Sequence, residues 1–426
     1  MGGESGTNGT STRQVVISSD CHAGASVMGY RDYLEQEWHE EFDAWAQDFA
    51  DPWDDEGDDR IRMGVASGSS SWSWDGDTRT RLLDQDGITA EVLFPNTAPP
   101  FFPSGVLTAS VPVDRDDYRR RFAGLRAHNR WLADFCNALP GRRAGIAQIF
   151  LNDVDDAVAE IRAAADLGLK GILLPGDALV TVPLYYPRYE PVWQVCEELG
   201  LPVHRHGNLP ADAASAETGP AGPAVGAMES GFFGRRGLAH LIFAGVFERH
   251  PDLVMVLTEV GSGWVPQYLA ELDALWGGAQ MKGSILNYFA GEAAQYLPAP
   301  PSEYFARQCY LGSSLFTGAE GAMREEIGVG KIMWGSDFPH MEGSYPYSKE
   351  AIQAAFAGAP ADDARQMLAG TAAAVYGFDL DALQLVADRI GSPLAELLTE
   401  PPSWPRFPED TVTPALSTQN VYLQQD

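Results

Sequence analysis

Apolar residues along this chain fall into short, nearly continuous runs separated by longer amphipathic stretches. The runs are Val15–Asp20, Ile88–Pro95, Arg143–Phe150, Gly171–Pro175, Leu201–His206, Leu253–Glu259, Gln308–Ser313 and Lys331–Asp337. Continuous runs, rather than strict alternation, are what parallel strands covered on both faces require. The stretches between them carry helix signals. Asp153, followed by acids at 155 and 156, opens a helix that Gly168 ends, with negative charge placed to suit the helix dipole. Pro191 starts PVWQVCEEL and Gly200 closes it, the usual asymmetry of proline at the start and glycine at the end. Phe232–Arg249 reads as a third helix. Eight such alternations predict an α/β fold, a (β/α)8 TIM barrel, with a doubly wound open sheet as its competitor.

Three connections, at about 23–79, 207–228 and 277–302, exceed ordinary loop lengths. They predict a distorted barrel with long insertions at its C-terminal mouth. Residues 1–13 read as a disordered polar tail, 14–378 as the barrel, and 379–426 as an extension packed on the barrel or on a partner subunit.

Charge narrows the partners. The 426 residues carry 29 basic and 59 acidic side chains, a net charge of −30, which argues against nucleic acid and anionic membrane. A dense acidic run, Glu35–Asp59, reads as a solvated surface insertion. Cys21, Cys136, Cys196 and Cys309 are scattered without a CxxC pair, as in a reducing compartment. The polar start has no apolar signal region, and no stretch is long and apolar enough to span a bilayer. The expectation is a cytoplasmic protein with a small-molecule substrate, and a homodimer is compatible with it.

The candidate chemistry lies where polar residues end the strands. The first run ends in Asp20-Cys21-His22, the fifth in His204-Arg205-His206, the sixth in Thr258-Glu259 and the eighth in Gly335-Ser336-Asp337. On a strand, residues i and i+2 share a face, so Asp20 and His22 point together. Each such ending alone fits an ordinary buried hydrogen-bonded pair. Four of them, on strands distant in sequence, fit a metal site at the mouth of a barrel, where catalytic residues come from the ends of different strands. A mixed Asp/His set suits zinc, manganese or iron better than calcium or magnesium.

These endings, with LPVHRHG at 201–207, FAGVFERHPDLVMVLTEVGSGWVP at 243–266 and WGSDFPH at 334–340, resemble the amidohydrolase superfamily. The likeness is to the amidohydrolase-related group that includes aromatic-acid decarboxylases, and it runs over about 15–378. It implies a distorted (β/α)8 barrel with a divalent metal, zinc first among the candidates, at its C-terminal mouth. It implies Asp20, His22, His206 and Asp337 as metal ligands, with Asp337 also able to act as a base. One departure stands out: many relatives carry His at the end of the sixth strand, where this chain has Glu259. Glu259 is then an acid–base group, a second-metal ligand, or a group orienting a ligand histidine.

Other side chains are read on their placement. His204 shares the face of His206 one layer deeper and is expected behind the ligands. His340, three residues past Asp337, is a candidate acid or base. Arg205 faces the other way and either pairs with an acid there or clamps a substrate carboxylate. Trp72 and Trp74 in the first insertion, with Phe101-Phe102, either line an apolar pocket or fasten the insertion to the barrel. Gly261-Ser262-Gly263 offers free N–H groups to a substrate anion. His240 and His250 are read as structural, and His39 and His128 are given no role.

The leading functional reading is a metal-dependent hydrolase acting on a small cyclic or aromatic substrate. In it Asp337 takes a proton from metal-activated water and Glu259 or His340 protonates the leaving group. Non-oxidative decarboxylation of an aromatic or unsaturated acid uses the same residues. A third reading is an iron oxygenase with two ions, because Asp20, His22, His204, His206, Glu259 and Asp337 exceed the needs of one. A non-catalytic binding barrel is disfavoured by the intact ligand set.

Overall fold

The computed structural model describes residues 13–49, 67–103, 109–177, 182–208, 219–340 and 343–401. The central portions of the first two insertions (50–66 and 209–218), nearly all of the polar tail and the end of the C-terminal extension lie outside those residues.

Eight parallel strands follow one another around a single sheet: β1 (Ile17–Ala23), β2 (Ala90–Pro95), β3 (Arg143–Gln148), β4 (Gly171–Leu173), β5 (Val203–Arg205), β6 (Met255–Thr258), β7 (Cys309–Ser314) and β8 (Ile332–Gly335). Each predicted run therefore contains a strand. The sheet closes where Asp337 N–H donates to the Asp20 carbonyl (2.8 Å) and His22 N–H to the Phe338 carbonyl (2.7 Å).

The helices that concern the site are α1 (His39–Asp48), α2 (Ser67–Trp74), α3 (Gly76–Gln85), α4 (Arg115–Asn137), α5 (Val154–Asp166), α6 (Glu190–Leu199), α7 (Ala221–Phe243), α8 (Val265–Gln280), α9 (Ile285–Gln295), α10 (Pro301–Gln308), α11 (Ser348–Phe356) and α12 (Leu380–Ile390). Asp153 caps α5 through the N–H groups of Asp155 and Asp156, and Gly200 ends α6 in the left-handed conformation that glycine adopts without a Cβ penalty. The expected helix Phe232–Arg249 is corrected: α7 starts earlier and stops at Phe243, and Gly245 (φ 67°) turns the chain into a single further turn. The third insertion carries the end of α8, all of α9 and the start of α10.

Alternation divides the core. Val15, Ile17, Ala90, Val92, Phe94, Ala144, Ile146, Val256 and Met333 fill the barrel interior, while Leu93, Ile172, Val203, Met255, Leu257 and Leu311 face the helices. Leu383 and Ala387 of α12 close the bottom against Val15 and Ile17, and Gln14 N–H donates to the Ser392 carbonyl there. The C-terminal segment thus seals the end opposite the mouth.

One irregularity matters for function. The β1–β2 register shifts between Ser18 and Cys21. Odd-numbered Val15 and Ile17 point inward below this shift, and even-numbered Asp20 and His22 point inward above it. The expected strand Val15–Asp20 is corrected accordingly: the strand runs on to Ala23 through a bulge, a device that re-aims side chains beside active sites.

Candidate active site

Asp20 lies at the centre of the mouth and is fully buried. Its Oδ1 is 3.1 Å from His206 Nε2 and 3.3 Å from His22 Nε2, and its Oδ2 accepts the hydroxyl of Ser314 at the end of β7. His22 Nε2 is also 3.2 Å from Asp337 Oδ1. His340 Nδ1 reaches the same Asp337 oxygen at 2.9 Å, and its ring stacks on His22 with centroids 3.9 Å apart. Asp20, His22 and His206 form one set of donors whose ligand atoms lie within 4.8 Å of one another, and His22, Asp337 and His340 form a second.

The outward nitrogens set the inward ones. His22 Nδ1 is 3.1 Å from the Pro95 carbonyl, which can only accept, so Nδ1 carries the proton and Nε2 presents its lone pair to the cluster when the ring is neutral. His206 Nδ1 faces Glu259 Oε2 at 3.1 Å, the carboxylate–histidine arrangement that orients metal-binding imidazoles. Glu259 therefore stands behind His206, where the expectation of a group orienting a ligand histidine places it.

Strand ends are bent to make this possible. Glu259 (φ 54°) and Asp337 (φ 57°) both adopt left-handed backbone, which costs a residue with a Cβ of order 1 kcal/mol or more. Glu259 directly follows β6, and Asp337 lies two residues beyond the end of β8.

Burial pushes the Asp20 carboxyl up, but His206 and His22 hold it far below the usual carboxylate range. Asp337 is likewise held down by His340 and His22 against burial and the charge of Asp20. Burial would depress both imidazoles, yet Asp20 and Asp337 hold His22 up at about 10, and Asp20 with Glu259 holds His206 up at about 10. A divalent cation would have to displace protons from His22 and His206, so its affinity rises as pH rises toward the values at which those rings lose them.

The donor set fits a metal. His22 Nε2 and both oxygens of Asp337 are buried without a hydrogen bond of acceptable geometry, and orphaned buried polar atoms of this kind call for a missing partner. Two imidazole lone pairs and two carboxylates at one point are the donors a borderline divalent ion takes.

The remaining expected residues are placed as follows. His204 is buried with Nδ1 3.2 Å from the Ile172 carbonyl and Nε2 3.1 Å from the Tyr376 hydroxyl. Burial pulls it down to about 3, so it is a neutral ring with both nitrogens engaged behind the cluster. His204 and Glu259 thus both stand behind the cluster rather than in either of its two donor sets. Arg205 is corrected as a substrate clamp: it points outward and donates to the Pro175 carbonyl (2.7 Å), Asp177 (2.7 Å) and the Phe233 carbonyl (3.0 Å). Trp72 stacks on Phe338 at 5.7 Å and meets Tyr345 edge-on at 5.5 Å, and Trp74 packs on the outer core. Both fasten the insertion to the barrel. The N–H groups of Ser262 and Gly263 are taken by Glu320 Oε1 at 2.6 and 3.2 Å, so that turn holds an internal carboxylate. His250 pairs with Glu197 and Glu190.

Sequence reasoning missed Ser314, Asn96 and the triad beneath β1. Asn96 Oδ1 is 3.1 Å from His340 Nε2. Arg79 is wholly buried; it donates to the His22 carbonyl (2.8 Å) and forms a bidentate pair with Glu91, which Arg143 also meets. Ser314 follows from alternation on β7, but its meeting with Asp20 spans 294 positions and leaves no local signal.

The chain belongs to the amidohydrolase family, whose model matches residues 20–378, and is an enzyme of that fold. The gamma-resorcylate decarboxylase of Rhizobium sp. (strain MTP-10005) is 32% identical over 280 residues, which is 62% of this chain and 76% of that protein. Two solved structures share the fold. The 5-carboxyvanillate decarboxylase of Sphingomonas paucimobilis matches with a TM-score of 0.62 at 22% identity, covering 86% of this chain and 99% of its own. A dihydroxybenzoic acid decarboxylase of Polaromonas sp. JS666, with bound manganese and the inhibitor 2-nitroresorcinol, matches with a TM-score of 0.56 at 18% identity, covering 85% and 97%. The hydrolase expectation is corrected here: these relatives are decarboxylases, and they favour the decarboxylase alternative. The metal in the last structure is manganese, so the preference for zinc has no specific support. Among the described residues no helix is long and apolar enough to cross a membrane.

Proposed function

We propose that this member of the amidohydrolase family is a metal-dependent, non-oxidative decarboxylase of a small aromatic acid with a hydroxyl beside the carboxylate. The 32% identity to gamma-resorcylate decarboxylase carries the choice of reaction, and the buried carboxylate of Asp337, 2.9 Å from His340 Nδ1, carries the choice of acid. Asp20, His22, His206 and Asp337 would hold the ion, manganese or zinc. Bound there, it supplies a Lewis acid for the substrate's carboxylate and hydroxyl oxygens.

The chain's own groups handle the proton. His340 Nδ1 lies 2.9 Å from Asp337 and is partly exposed at the mouth, so it passes a proton inward to the Asp337 carboxyl. Asp337 delivers that proton to the ring carbon bearing the carboxylate. The carbon–carbon bond then breaks, its electron pair returns to the ring, and carbon dioxide leaves. Asn96 holds the far nitrogen of His340, which keeps the ring on this line. Ser314 and Glu259 fix Asp20 and His206 from behind, which is how a site stays preorganised.

Incubation of the manganese-loaded protein with 2,6-dihydroxybenzoate is expected to give resorcinol and carbon dioxide, followed by chromatography. Hydrolysis of aryl amides or lactones without any decarboxylation would reject the reading. Glu259→Gln is expected to lower metal affinity about 10–100-fold, the usual cost of removing a carboxylate behind a ligand histidine. Metal titration followed by calorimetry checks it, and an unchanged affinity would show that Glu259 does not orient His206.

A further inference from the structure

Helix α9 is apolar on both of its faces. Inward, Leu286 packs against Gly278 of α8 where a Cβ would collide with it, and Gly291 and Ala294 are buried. Outward, Ile285, Tyr288, Phe289 and Tyr296 are 68%, 81%, 76% and 71% exposed, with Met281 just ahead of the helix at 66%. Positions 285, 288 and 289 follow the i, i+3, i+4 spacing of a single helical stripe. A helix that is apolar all round is ordinarily a covered one. The five side chains open roughly 600–800 Å² of surface, about one partner's share of a standard interface and more than a monomer usually leaves in one apolar patch.

The stripe is held firmly. The Ser284 hydroxyl accepts the Asn287 N–H at 2.9 Å and donates to the Gly278 carbonyl at 2.7 Å. Trp276 Nε1 donates to the Leu297 carbonyl at 3.0 Å, which ties α8 to the chain beyond α9.

Charge indicates what covers the stripe. Positions 283–291 carry no charge in a chain of net charge −30. The two flanking charges stand the wrong way round for α9 itself. Lys282 precedes its N-terminus and Glu292 lies in its last turn, whereas the helix dipole favours an acid first and a base last. Against an antiparallel copy of the same helix both placements become favourable. Lys282 then meets the C-terminal end and the Glu292 of the other copy, and Glu292 meets its N-terminal end and its Lys282. A twofold axis near Tyr288 produces this pairing, because a symmetric contact sets the same patch against itself. A membrane surface is the poorer match, since helices that lie on one carry Lys and Arg along the polar face and α9 has neither.

We propose that the outward face of α9 is the contact of a homodimer, in which two copies pack antiparallel through Ile285, Tyr288 and Phe289 and pair Lys282 with Glu292 at both ends. None of these residues belongs to the metal cluster, so the dimer stands apart from the reaction proposed above.

Sedimentation equilibrium of the metal-loaded full-length protein tests this. Wild type is expected to be at least dimeric at micromolar concentration. Tyr288→Lys combined with Phe289→Glu should halve the assembly, a weakening of about 100-fold or more, with metal content and far-ultraviolet circular dichroism unchanged. Lys282→Glu alone should weaken association about tenfold, and adding Glu292→Lys should recover most of that loss, because the ion pair returns with its polarity exchanged. A monomeric wild type would overturn the proposal, as would an assembly that the aromatic pair of substitutions leaves intact. A second charge reversal that deepens the loss would overturn the antiparallel pairing. A wild-type monomer that dimerises once residues 402–426 are removed would give the face to the chain's own C-terminal segment, and one that floats with phosphatidylcholine vesicles would give it to lipid. Failure of both sets of variants to fold would place the face in the subunit's own core and overturn the proposal as well.

Discussion

Replacing Asp337 by asparagine is expected to lower turnover of the aromatic acid by roughly 10²–10⁴-fold, the usual contribution of a positioned proton donor. Asparagine keeps the volume of a fully buried side chain, so the barrel should hold its shape. What disappears is the group that carries a proton inward from His340 Nδ1, 2.9 Å away. Metal content measured alongside separates the two duties of the residue. Loss of turnover with the ion retained isolates proton delivery. Loss of both places Asp337 chiefly among the ligands. Turnover near that of wild type would remove Asp337 from the mechanism.

The second large effect is on stability. Glu91→Gln is expected to cost about 3–5 kcal/mol, because breaking a buried ion pair from one side leaves charge without compensation. Arg79 and Arg143 both lean on Glu91. Burial raises the Glu91 carboxyl, but the two guanidinium groups overcome it and hold it below its ordinary value. With glutamine in its place, two buried cations face only carbonyls and a hydroxyl. The damage should reach the site, since the Arg79 that Glu91 holds also donates to the His22 carbonyl. Urea unfolding with a metal assay checks both parts. A loss under 1 kcal/mol would mean that carbonyls alone satisfy the arginines.

The fold was readable because parallel strands covered on both faces leave continuous apolar runs. Their ends were less so. Leu201–His206 contracts to Val203–Arg205, since an apolar run does not record where ladder hydrogen bonding stops. The bulge below Asp20 left no mark, because small Ser18 and Ser19 suit either face. The positive φ of Glu259 and Asp337 was hidden for a related reason: neither is glycine, and tertiary contacts impose the turn. The convergence of Asp20, His22, His206 and Asp337 followed from strand-end placement. The division of labour around them did not. Glu259 had three open roles, and only the structure shows its carboxylate beside His206 Nδ1, as it shows Glu320 on the N–H groups of the Gly261–Gly263 turn. Arg205 was the opposite case, since alternation already turned it away from His204 and His206.

The proposed decarboxylase holds one divalent ion on Asp20, His22, His206 and Asp337. Its most direct test is titration of manganese into chelator-stripped protein while carbon dioxide release from 2,6-dihydroxybenzoate is followed. No release is expected from stripped protein, and release should rise with added ion and saturate at about one ion per chain, a stoichiometry set by a single four-ligand site. Release that persists after stripping, or that saturates only at two ions per chain, would contradict it.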